Sequence, residues 1–128
     1  MAIVGLVDIV ADSPELVHLH EQLRKPRSEI LFTGLSGGQK SLYIAALYST
    51  LRGRPEAPTL LVTYNAVAAQ RLYADLSSLL PDDVQLLLYP AVEIDPHEEV
   101  IRDVGVERER LRAIEALLAR KGFVIASV

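Results

Sequence analysis

An α/β fold, a parallel sheet with flanking helices, is what this sequence predicts. Three observations carry that reading. Short apolar runs at 29–33, 59–64, 84–88 and 123–128 alternate with segments of helical periodicity, the order that builds strand–helix–strand units. The run at 59–64 is nearly all apolar, as in strands buried on both faces of a parallel sheet. A glycine-rich stretch, Gly34-Leu35-Ser36-Gly37-Gly38, lies where the first apolar run gives way to a helical pattern.

Each element has a local reason. Asp12-Ser13-Pro14-Glu15 starts a helix, with a capping residue, a proline in the first turn and an acid near the positive end of the dipole. That helix runs to about Arg24 and stops before Pro26. The strand at 29–33 and the glycine-rich turn follow, then a helix over 41–51 with Leu42, Ala45, Ala46 and Leu51 available for a core face. Gly53-Arg54-Pro55-Glu56-Ala57-Pro58 is a turn. After the strand at 59–64, Asn65 caps a helix reaching about Leu80, whose Ala69, Leu72, Leu76 and Leu79 recur every three to four residues. Pro81-Asp82-Asp83 turns the chain into the strand at 84–88. A long aperiodic loop from Tyr89 to Asp103 carries prolines and a cluster of acids, a composition typical of functional or mobile segments. The last helix, over 106–120, offers Leu111, Ile114, Leu117 and Leu118 as its apolar face. Gly122 closes it before the strand at 123–128. Ending on an uncovered strand reads as the N-terminal piece of something longer.

Composition bounds the answer further. A length of 128 residues allows one domain with its own core. Hydrophobic content of 50% is high for so small a chain, as is a mean hydropathy of +0.24. It suggests a well-filled α/β core or a face meant to be covered. The longest apolar runs are too short to span a bilayer, and the N-terminus lacks the basic region of a signal peptide. The chain has no cysteine, which excludes disulfides and thiolate metal sites and fits the cytoplasm. A net charge of −4 gives no global electrostatic case for nucleic-acid binding.

The glycine-rich stretch carries the chemistry. A phosphate-binding loop is Gly, four residues, then Gly-Lys-Ser/Thr between a strand and a helix. Gly34-Leu35-Ser36-Gly37-Gly38-Gln39-Lys40-Ser41 supplies every element except the second glycine, which is Gln39. In such a loop backbone N–H groups point inward as an anion nest, the lysine reaches the β/γ-phosphates and the hydroxyl holds Mg²⁺. Gly34, Gly37, Gly38, Lys40 and Ser41 are thus the candidate site for ATP/Mg. A left-handed backbone at Gln39 would cost roughly 1 kcal/mol, and its side chain stands where phosphate should lie. The stretch is therefore either a structural relic that still turns strand into helix or a working nucleotide site.

Beyond the loop, Ile44-Ala45-Ala46-Leu47-Tyr48, Leu61-Val62-Thr63-Tyr64-Asn65 and Ala69-Gln70-Arg71-Leu72-Tyr73-Ala74-Asp75-Leu76 form an ordered series of motifs. Leu88-Tyr89-Pro90 with Glu93, and Glu107-Arg108-Glu109-Arg110-Leu111, continue it. Together they resemble the N-terminal, excinuclease B-like region of the bacterial transcription-repair coupling factor family, from about Leu31 to the end. The resemblance implies a helical lead-in at 1–28. It implies at 29–128 a partial RecA-like domain of P-loop NTPase type, with a degenerate loop, ending before an inserted domain. In that family the region is a non-catalytic scaffold in transcription-coupled nucleotide excision repair. The helicase-type DNA translocase motor lies much further along the chain, and excinuclease A and RNA polymerase are met by other domains. No cofactor is then expected of this segment. Excinuclease B, whose loop carries the second glycine, is similar too and leaves an ATP-binding DNA-repair protein as an alternative. A free-standing interaction protein is a further one.

Other residues are weighed against plainer roles. Gln70 and Arg71 sit where related helicases touch nucleic-acid backbone, although an exposed helical arginine is commonly ordinary surface. His97-Glu98-Glu99 lacks the His-Glu-x-x-His spacing of a zinc site, and His18 and His20 face different ways on a helix, so no metal is expected. The run Glu107, Arg108, Glu109, Arg110, Arg112 reads as a charged solvent face. The acids at 93–99 do not follow an apolar strand directly, as a Mg²⁺-binding aspartate would. No catalytic residue is identified, and the chain alone is not expected to hydrolyse ATP.

Overall fold

The computed structural model describes residues 4–51, 58–92 and 103–128. Contacts divide the chain into two compact units, Met1–Pro55 with Asp75–Asp82, and Glu56–Ala74 with Asp83–Val128.

The first unit is helical. α1 (Val4–Ala11) and α2 (Pro14–Leu23) pack on α3 (Gln39–Leu51). Their buried residues are Val7, Leu16, Ala45 and Ala46, and Leu76 and Leu80 are buried as well. Ser13 takes the N-cap position of α2 with extended backbone, and Pro14 opens the helix, where its missing N–H has no partner to lose. The sequence pattern contained no separate signal for α1. The expected strand at 29–33 does not form: residues 28–36 have neither helix nor strand, and Leu31 is 88% exposed. Apolar, strand-prone residues make a strand only when another backbone completes the ladder, and none among the described residues does so here.

The second unit holds a three-stranded parallel sheet of β1 (Thr59–Thr63), β2 (Leu86–Leu88) and β3 (Phe123–Ser127), in the order β1-β3-β2. Leu61 pairs with Ile125, and Leu87 with Val124. β3, the middle strand, is the buried one: Phe123, Val124 and Ile125 are all but inaccessible. β1 is an edge, and it alternates, with Leu60 and Val62 exposed and Thr63 buried. β2 begins two residues later than its apolar run, because the Leu86 N–H donates to the Val84 carbonyl instead of extending the ladder.

α4 (Ala66–Leu79) follows β1, and α5 (Val104–Leu118) lies between β2 and β3 in sequence and packs against both strands. Asn65 does cap α4, its Oδ1 accepting from the Ala68 N–H at 2.7 Å. Asp103 caps α5, accepting from the Gly105 N–H at 2.8 Å, so this helix starts earlier than its periodicity suggested. Its buried residues are Ala113 and Ala116, while Leu111, Ile114 and Leu118 are exposed. Of the apolar face expected of α5 only Leu117 is half-buried, and the fully buried positions are the small residues. Small residues let the helix lie close to the sheet, which the leucines would prevent. The same closeness explains Gly122: its φ is +84°, and a Cβ there would stand 3.2 Å from the Gln85 carbonyl oxygen. The described residues form an α/β protein with a small parallel sheet and flanking helices. None of their helices is long and apolar enough to cross a membrane.

Candidate functional site

Within the first unit, the glycine-rich turn delivers the chain into α3. Gly34 and Gly37 have φ of +89° and +53°, values that L side chains resist. A Cβ at Gly34, Gly37 or Gly38 would meet nothing within 4 Å, so Gly34 and Gly37 answer a backbone need and not a close approach. Gln39 is different from expectation. It is the first residue of α3, and the left-handed non-glycine residues among those described are Arg27 and Arg120. The strain foreseen at Gln39 is absent because the loop turns earlier, at Gly37.

The Gln39 side chain has a structural use instead. Its Oε1 accepts from the Ser36 backbone N–H at 3.1 Å, and the Gln39 N–H donates back to the Ser36 carbonyl at 3.1 Å. Ser-x-x-Gln is the spacing of a capping box, but Gly37 is left-handed and Gly38 accepts the first bond of α3 from the Leu42 N–H, so the Gln39 side chain closes the turn ahead of the helix. That signal was present at Ser36–Gln39 in the sequence and was hidden behind the likeness to a phosphate loop. One donor of the turn is thereby spent on the chain's own carboxamide.

Lys40 and Ser41 occupy the next positions of α3 and part company. Lys40 is exposed, whereas Ser41 is 3% exposed and its Oγ donates to Asp75 Oδ2 at 2.6 Å. A hydroxyl–carboxylate bond of that length is of the strong, charge-assisted kind. It joins α3 to the last part of α4 across 34 residues of sequence, and no motif marked Asp75 as its partner. The hydroxyl proton is committed to Asp75, while the oxygen lone pairs, the atoms a metal ion would use, stay open.

Gln70 and Arg71 lie in the second unit, both exposed on α4. Gln70 lines a cleft of about 310 Å³ together with Ala66, Tyr89, Pro90 and Ser127. The cleft sits at the carboxyl ends of β2 and β3, the side on which ligands of parallel α/β sheets bind. Arg71 is not one of its lining residues. Arg110, assigned to a charged solvent face, is half-buried and holds this corner: its Nε–H donates to the Pro90 carbonyl at 3.1 Å, and its guanidinium lies 4.7 Å from the Tyr89 ring centre. The acids at 93–99 and His97 lie outside the described residues.

These features define an α/β protein with a small parallel sheet in one unit and, in the helical unit, a glycine-rich turn closed by the Gln39 side chain. No protein-family model matches the chain. A curated protein is similar to it over most of its length. The transcription-repair-coupling factor of Bacillus subtilis (strain 168) is 35% identical over 99 residues, which is 77% of this chain and 8% of that protein. The likeness is therefore one of a region.

Proposed function

We propose that the chain is a segment of a transcription-repair coupling factor, serving DNA repair coupled to transcription as a non-catalytic scaffold. The identity of 35% over 99 residues with the Bacillus subtilis protein carries this reading. The fold assigned to it is RecA-like, in keeping with three parallel strands and a glycine-rich turn that opens a helix. The turn is a former phosphate loop turned to structural ends. Two observations support that: Gln39 spends the Ser36 N–H, and the run at 29–33 ahead of the loop forms no strand. ATP and Mg²⁺ are then not ligands of this segment. DNA contact would be local, through the exposed Gln70 and Arg71 of α4, and excinuclease A and RNA polymerase would be met by other parts of a longer chain.

Equilibrium titration with Mg-ATP tests the scaffold role. The reading expects no saturable binding, and no difference between the parent and Lys40→Ala. Micromolar binding lost in Lys40→Ala would replace it with an ATP-binding protein of excinuclease B type, which the intact Lys40-Ser41 pair would then serve. The repair role is tested by exchanging this chain for the matching region of the Bacillus subtilis factor. Preferential repair of the transcribed strand should survive the exchange, and a stable, folded chimaera without it would count against the assignment.

A further inference from the structure

We draw no further inference here: the strongest candidate, the apolar stripe of Val104, Leu111, Ile114 and Leu118 left exposed along α5, carries nothing because nothing in the structure shows what covers it.

Discussion

Replacing Gln39 separates the turn-closing role of this side chain from the nucleotide site suggested by its place in the loop. In Gln39→Gly the bond from the Ser36 N–H, 3.1 Å in the parent, is lost. A hydrogen bond of this kind contributes about 0.5–1.5 kcal/mol net. Glycine in place of glutamine at the start of a helix costs up to about 1 kcal/mol more. The sum is about 1–2 kcal/mol, which lowers a urea midpoint by roughly 0.5–1 M at an m-value of about 2 kcal/mol/M. Urea unfolding followed by far-ultraviolet circular dichroism reads it. Two controls isolate the turn bond. Gln39→Ala loses the acceptor and keeps helix propensity, whereas Gln39→Glu keeps the acceptor and adds a charge favoured at a helix N-terminus. Gln39→Ala should be destabilised, and Gln39→Glu should match or exceed the parent. If all three variants unfold with the parent, the Ser36–Gln39 bond contributes nothing and the turn-closing argument fails. Mg-ATP titration of Gln39→Gly reads the other half. The freed N–H and the restored Gly-Lys-Ser pattern should give weak binding that salt reduces, without hydrolysis. A folded variant that binds no better than the parent would show that packing around Ser41 closes the loop, and not Gln39.

Other substitutions follow from the same geometry. Ser41→Ala leaves the half-buried Asp75 carboxylate without its 2.6 Å donor and should cost about 1.5–3 kcal/mol by chemical unfolding. Adding Asp75→Asn to it should then cost little more, since both changes break one bond. Gly122→Ala meets both a φ of +84° and a carbonyl oxygen at 3.2 Å and should lose about 2 kcal/mol or more; Gly37→Ala, with a positive φ but open space, should lose only about 1 kcal/mol. Ala113→Leu, at a position with no exposure, should destabilise by about 1–3 kcal/mol through overpacking. Leu118→Ser, at 79% exposure, should stay within about 0.5 kcal/mol of the parent, and a larger loss would mean that the wrong face of α5 has been taken as buried. Arg110→Lys removes the Nε–H that donates to Pro90 and should cost about 0.5–1.5 kcal/mol by chemical unfolding, since lysine cannot reproduce the guanidinium fork.

Local chemistry was legible in the sequence where neighbours in the chain settle the outcome. Pro14, Asn65 and the Gly122 turn mark element ends because capping and backbone freedom act within a few residues. The runs that became β1 and β3 were apolar enough to name as strands. The glycine-rich turn was placed correctly before α3, and so was the pair Lys40-Ser41 at its start. What the tertiary structure decided were matters of partnership. The run at 29–33 has strand composition but no ladder, because a strand is a property of two backbones and propensity belongs to one. α5 buries Ala113 and Ala116 in place of Leu111, Ile114 and Leu118 because the distance of closest approach to the sheet selects small side chains, and that distance is written nowhere in one helix. Ser41 finds Asp75 34 residues away. Only the tertiary fold brings that hydroxyl to that carboxylate, because nothing in the neighbours of either residue names the other.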